Sequence, residues 1–185
     1  MAGVAFIGAG SNIDPLNNLL SGLKRIIENE RAALVALSSF YRTSPVSDVA
    51  QDDYLNCALK IVWQGSPAEL LAFLQAVESA HDRTRTVRLG PRTLDLDILL
   101  FGDIVMDEPG LTIPHPRLHE RRFTIVPCLE MEPGLIHPRL GRPLSEWLGR
   151  IGPGQTIELF RKVSPQEIAS FEDGRQETRK VFQSI

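Results

Sequence analysis

A chain of 185 residues with 43% apolar side chains has the length of one globular domain with room for a short appendage. Its formal charge of -3 excludes a large basic footprint for nucleic acid, so any cationic chemistry has to be local. Cys57 and Cys128 lie far apart inside apolar runs and read as reduced core residues, which excludes a disulfide framework or a zinc site. No apolar stretch approaches the ~20 residues of a membrane span. The start, Met1 to Ile7, is too short and uncharged for a signal peptide, so a cytoplasmic location is expected.

In chain order, Val4 to Ile7 predicts a strand that ends in a tight turn at Gly8-Ala9-Gly10-Ser11-Asn12. Asp14 supplies a helix cap and Pro15 suits a first helical position. Behind them Leu16, Leu19, Leu20, Leu23, Ile26 and Ile27 recur at helical spacing. Ala33 to Arg42, rich in β-formers, predicts a second strand, and Thr43 to Asp53 a loop. Tyr54 to Trp63 alternates. Leu55, Cys57, Leu59, Ile61 and Trp63 should face the helices, which leaves Tyr54 and Asn56 together on the opposite face.

Ser66-Pro67-Ala68-Glu69 has capping-box spacing and opens a second helix running to about Ala80, with Gln75 and Glu78 three apart on one side. An arginine-studded stretch follows, Arg83, Arg85, Arg88 and Arg92, broken by Gly90-Pro91. Thr93 to Phe101 predicts a further strand. Strand, helix, strand, strand, helix, strand fits an α+β fold with helices packed on one face of an antiparallel sheet. Residues 109–143 are rich in Pro and Gly around a short apolar segment, Phe123 to Leu129. Leu144 to Ile151 suggests a short helix, and a second capping box stands at Ser164-Pro165-Gln166-Glu167.

The chemistry concentrates in Gly90-Pro91-Arg92-Thr93-Leu94-Asp95-Leu96-Asp97-Ile98. On a strand, Asp95 and Asp97 project from one face roughly 6–7 Å apart, while Leu94, Leu96 and Ile98 enter the core. Two neighbouring carboxylates repel unless a cation lies between them, and magnesium takes oxygen ligands while keeping phosphates in its shell. Two such ions could share the pair and grip a nucleotide's phosphates. The plain alternative is an edge strand whose aspartates simply face solvent. Arg92 and its neighbouring arginines favour a polyphosphate completing the charge balance. Thr112, His115 and Arg121 form a second polar cluster in a proline-containing loop, where a phosphate contact is plausible. Gly8-x-Gly10 lacks the third glycine of the dinucleotide fingerprint, Ile13 standing there, and no Lys-Ser or Lys-Thr follows to make a P-loop.

Gly10-Ser11-Asn12, Ser38 to Thr43, Asp53 to Asn56, Gly90 to Leu100, and Pro114-His115 with Arg121 and Phe123 resemble, in order, the 6-hydroxymethyl-7,8-dihydropterin pyrophosphokinase family of folate synthesis. G-P-R-T-L-D-L-D-I is the specific segment; the others are weak singly but ordered. The resemblance implies a ferredoxin-like α/β sandwich over residues 1–154, with 155–185 an extension of no assigned role. It implies that ATP gives its pyrophosphate to a pterin alcohol, whose hydroxyl attacks the β-phosphorus while AMP leaves.

By position it assigns Asp95 and Asp97 to two Mg2+ ions. Thr43, Ser44, Val46, Tyr54, Asn56 and Phe123 fall to the pterin; Asn56 would read the ring edge while Tyr54 and Phe123 pack on the ring. Gln75, Glu78, Ile98 and Thr112 fall to the nucleotide, and Arg83, Arg85, Arg92, His115 and Arg121 to its phosphates as cations. Arg83, Arg92, Asp95, Asp97 and His115 would serve the catalytic step. Leu89 stands where members often carry tryptophan, Asp82 replaces a glycine in a stretch one residue shorter, and Gly110 replaces an arginine. The partners expected are small molecules only, and a monomer is expected. Two other readings predict different things: a non-catalytic ligand-sensing module would not need the aspartates and arginines on one cleft, and a D-x-D enzyme of nucleotide sugars would leave the Tyr54/Asn56 pocket without a purpose.

Overall fold

The computed structural model describes residues 2–46, 50–81 and 90–172. Its chain order begins with β1 (Ala2–Ser11), α1 (Pro15–Ile27), β2 (Ala32–Leu37), β3 (Phe40–Thr43), β4 (Tyr54–Gln64), α2 (Pro67–Ser79) and β5 (Asp95–Phe101). A hairpin, β6 (Met106–Glu108) and β7 (Leu111–Ile113), precedes a single 3-10 turn at Leu118–Glu120 and α3 (Arg122–Met131). Then come β8 (Ile136–His137), β9 (Arg142–Pro143), α4 (Ser145–Leu148), β10 (Ile157–Arg161) and α5 (Pro165–Ser170).

The main sheet has six strands in the order β10-β3-β4-β1-β5, with β2 also on β4, and every pairing is antiparallel. The alternation read in β4 holds. Leu55, Cys57, Leu59, Ile61 and Trp63 enter a core shared with Leu19, Leu23 and Ile26 of α1 and Leu70 and Leu74 of α2. Leu94, Leu96 and Ile98 join the same core. A second core on the opposite face gathers Phe6, Ala58, Leu99 and Leu100 beneath Ile125 and Cys128 of α3. The apolar segment Phe123 to Leu129 is thus a helix that covers part of the second face.

Several local expectations are corrected. Gly8-Ala9-Gly10 is not a turn: β1 runs through it to Ser11, paired with Asn56 on one side and Asp95 on the other at Gly10. A Cβ at Gly10 would collide with the Asn56 carboxamide, so this glycine serves close approach, not chain reversal. Asp14 takes a left-handed conformation (φ 41°) and makes no side-chain cap; its carboxylate instead accepts from Asn17 Nδ2 at 2.9 Å. The strand expected from Ala33 to Arg42 is interrupted at Ser38-Ser39. Ser38 Oγ accepts from the Ala58 N–H at 2.9 Å, and Glu130 accepts from the Ser39 N–H at 2.8 Å.

The capping box of α2 forms as read, with Ser66 Oγ accepting from the Glu69 N–H and Glu69 accepting from the Ser66 N–H. At Ser164, the hydroxyl accepts from the Glu167 N–H to open α5. The residues expected as an appendage after 154 continue the main sheet. Strand β10 pairs with β3, Ile157 opposite Thr43, and Val163 and Ile168 bury themselves in the helix-side core. Lys24 of α1 donates to the Phe171 carbonyl at 2.8 Å. Gly110, at the β6–β7 turn, has φ 84°, a conformation that an arginine would adopt only with strain.

Candidate active site

One cavity opens on the sheet face away from α1 and α2, at the ends of β1, β4 and β5. Its walls include Thr43, Ser44 and Val46, then Tyr54 and Asn56, then Arg92, Asp95 and Asp97, then Arg121 and Phe123. Strand alternation puts Tyr54 and Asn56 there from β4, and Asp95 and Asp97 from β5. Arg121, the N-cap residue of α3, and Phe123 in its first turn complete the wall.

At one end Asn56 is nearly buried and donates from Nδ2 to Thr43 Oγ1 at 2.7 Å. That bond fixes which way the carboxamide faces. Tyr54 donates its hydroxyl to Gln51 Oε1 at 3.0 Å and to the Gly90 carbonyl at 3.2 Å. The Arg121 guanidinium lies 5.3 Å from the Phe123 ring centre, which holds the ring at the cavity mouth.

At the other end Arg92 pairs with Asp95. Burial penalises the Arg92 charge, but Asp95 beside it offsets the penalty and raises the guanidinium pKa further. The Asp97 carboxyl is pushed up to about 6 by its recessed position and then by repulsion from Asp95, with Arg121 opposing. Solvent still reaches 44% of that side chain, so the confinement is that of an open cleft, not of a dry core. His115 Nε2 stands 3.9 Å from Asp97 Oδ2, and its Nδ1 accepts from the Arg117 N–H at 3.1 Å. Nε2 therefore carries the proton. Burial, then Arg121 and Arg117, hold the imidazole down at about 4. With that pKa the His115 imidazole is a neutral hydrogen-bond donor at pH 7, where the sequence led to the expectation of a cation.

Among the described residues, no three His, Cys, Asp or Glu side chains group tightly enough to cage a metal. Among the described residues that line the cavity, Asp95 and Asp97 are the ones that offer carboxylate oxygens, a donor set that suits a hard cation completed by water and substrate oxygens. It does not suit zinc, which wants three or four protein nitrogens or sulfurs.

Other expected residues lie elsewhere. Glu78 is buried beneath β5, where Oε1 accepts from the Leu96 N–H at 2.7 Å, whereas Gln75 is exposed on α2; the two do not share an environment. Ile98 has its side chain in the helix-side core. Thr112 stands half-buried on β7, opposite Asp107. Arg83, Arg85, Arg88 and Leu89 fall outside the described residues.

Two residues were given no role by the sequence. Asn12 accepts from the Arg92 N–H at 2.7 Å and donates to Gln51 Oε1 at 3.1 Å and the Asp52 carbonyl at 3.2 Å, tying both ends of the cavity together. Gln51 links it to Tyr54. A polar residue just past a buried strand was the available signal for Asn12; Gln51 carried none.

A family profile, 7,8-dihydro-6-hydroxymethylpterin-pyrophosphokinase, matches residues 6–133. The chain is 43% identical over 135 residues to the Haemophilus influenzae 2-amino-4-hydroxy-6-hydroxymethyldihydropteridine pyrophosphokinase, covering 72% of this chain and 84% of that one. It is 40% identical over 132 residues to the Bacillus subtilis protein of the same name, covering 71% and 79%. With the Schizosaccharomyces pombe folic acid synthesis protein fol1 it shares 36% identity over 166 residues, which is 89% of this chain and 22% of that protein. A Plasmodium falciparum HPPK-DHPS crystal structure superposes with a TM-score of 0.62 at 13% identity, over 81% of this chain and 43% of that one; this likeness concerns the fold. With that fold, that cavity and those relatives, the chain belongs to the 7,8-dihydro-6-hydroxymethylpterin-pyrophosphokinase family.

Proposed function

We propose that this chain transfers the terminal pyrophosphate of ATP to 6-hydroxymethyl-7,8-dihydropterin, releasing AMP, as a step of folate synthesis. One observation carries the reading: the groups suited to a flat heteroaromatic ring and the groups suited to a metal–polyphosphate line a single cavity. Asn56, oriented by Thr43, addresses the ring edge with its carboxamide, while Tyr54 and Phe123 bound the ring faces. Bound Mg2+ at Asp95 and Asp97, two ions in this reading, supplies charge neutralisation to the phosphate chain.

Arg92 and Arg121 add fixed positive charge, since guanidinium groups stay protonated even where burial disfavours them. His115 donates from Nε2 without adding charge. With a pKa of about 4 it is a poor general base at neutral pH. The rate therefore rests on alignment of the pterin hydroxyl with the β-phosphorus and on electrostatic stabilisation. A non-catalytic sensing module would bind the ring without using the carboxylate pair.

The test is AMP release from ATP and magnesium, with and without the hydroxymethyl-dihydropterin. AMP that appears only with the pterin supports the reading. AMP formed equally without it, or no AMP at all, would refute it.

A further inference from the structure

We infer that Gln155, some twenty residues beyond the family-matched segment, is a positioning residue that locks the two walls of the ring-binding end of the cavity; this rests on the function proposed above. One wall is the chain around Ser44, the other the turn that enters α3 and carries Arg121 and Phe123. Within residues 6–133 the far end of α3 is tied to β3 by Glu130, which accepts from Ser39 and Tyr41, but those bonds lie away from the turn that enters α3. The segment 154–156 lies between the two walls.

Gln155 uses both halves of its carboxamide on the second wall. Oε1 accepts from the Arg122 N–H at 3.0 Å, and Nε2 donates to the Glu120 carbonyl at 2.9 Å. These backbone partners fix the amide's orientation, since an N–H can only donate and a carbonyl can only accept. The Arg122 N–H belongs to the first turn of α3, where amides have no partner within the helix. The Arg122 side chain reinforces the contact by donating to the Ile151 carbonyl at 3.1 Å.

The residues on either side of Gln155 take the first wall. Ser44 donates its hydroxyl to the Gly154 carbonyl at 3.4 Å, and the same hydroxyl accepts from the Thr156 N–H at 3.1 Å. The next residue, Ile157, pairs with Thr43, the partner of Asn56. Three consecutive residues thus bridge Ser44 and the turn that carries Phe123, at the end where these walls bound the space assigned to the pterin. The carboxylate pair on β5 is held independently, by β1 and by Glu78. The clamp acts chiefly on pterin recognition, through Ser44 and Phe123; because Glu120 and Arg122 flank Arg121, it touches the phosphate side only through that one guanidinium.

The experiment replaces Gln155 in the full-length protein: Gln155→Leu removes both bonds, and Gln155→Glu keeps the acceptor for Arg122 but loses the donor to Glu120. Pterin binding is read directly from its fluorescence, alongside KM for pterin, KM for ATP, kcat and Tm. For two backbone hydrogen bonds the expected rise in pterin Kd and KM is roughly ten-fold in Gln155→Leu. Gln155→Glu should fall between it and wild type, with KM for ATP rising clearly less than KM for pterin in both variants. Thermal stability should drop too little to account for the change. If Gln155→Leu does not fold, Gln155→Glu carries the test alone. Unchanged pterin affinity, or a parallel rise in both KM values that tracks a lower Tm, would overturn the clamp. Wild-type protein that binds no pterin would overturn the functional reading and the clamp together, whereas pterin bound normally by both variants would overturn the clamp alone.

Discussion

Asp97 holds the least comfortable charge in the cavity. Its carboxyl, ordinarily near 3.8, is raised to about 6 by its recessed position and by Asp95. The folded protein therefore keeps a proton between those values that the unfolded chain has already released, so Asp97 costs metal-free stability as pH rises through that window. His115 works in the opposite sense: its pKa falls from 6.5 to about 4, and acid below 6.5 disfavours the fold. Comparing wild type with Asp97→Asn isolates the aspartate. In EDTA at pH 7 the variant should melt higher than wild type, an advantage that shrinks toward pH 4, while turnover is lost. A lower melting temperature at pH 7 would contradict the account of repulsion. In wild type, apparent affinity for magnesium should decline below about pH 6, as protons compete for the same oxygens.

At the scale of elements, β5 delivers the carboxylates only if its register against β1 and its outer edge are both fixed. Glu78 does the second job by accepting the Leu96 N–H. Glu78→Ala leaves that buried donor without this acceptor and should cost about 1–3 kcal/mol in chemical denaturation. Glu78→Gln, which retains an acceptor oxygen, should cost less; equal losses would show that the bond is not what holds the edge. The sequence made the two key strands readable because alternation is local: Leu55 to Trp63 and Leu94 to Ile98 declare their faces by spacing alone. It misled at Gly8-Ala9-Gly10, since glycine signals a turn unless one knows that Asn56, far along the chain, lies across Gly10. The same distance hid Gln51 and Gln155, whose roles exist only through partners elsewhere in the fold. Gln75 and Glu78 were paired by helical spacing, yet one is exposed and the other buried, because the surrounding packing decides which part of a helix face is covered.

Across the whole molecule, the motif-bearing strands and the C-terminal strand β10 form one sheet. Removing residues 155–185 deletes β10 and α5, bares the edge of β3 and withdraws Val163 and Ile168 from the core. Burial of such side chains stabilises by about 1.5–3 kcal/mol each. The truncated chain should therefore melt at least roughly 6 °C lower. A truncated chain with an unchanged melting temperature would make the segment a true appendage. On the sheet face away from α1 and α2 a single cavity holds both the residues proposed for the ring and those proposed for the phosphates, so a two-phosphate unit should pass from one substrate to the other there. The direct measurement supplies ATP labelled in its γ-phosphate, with magnesium and hydroxymethyl-dihydropterin, and follows label and nucleotide together. AMP and labelled pterin diphosphate should form in equal amounts; ADP with a labelled pterin monophosphate, or label released as free phosphate, would rule out pyrophosphate transfer.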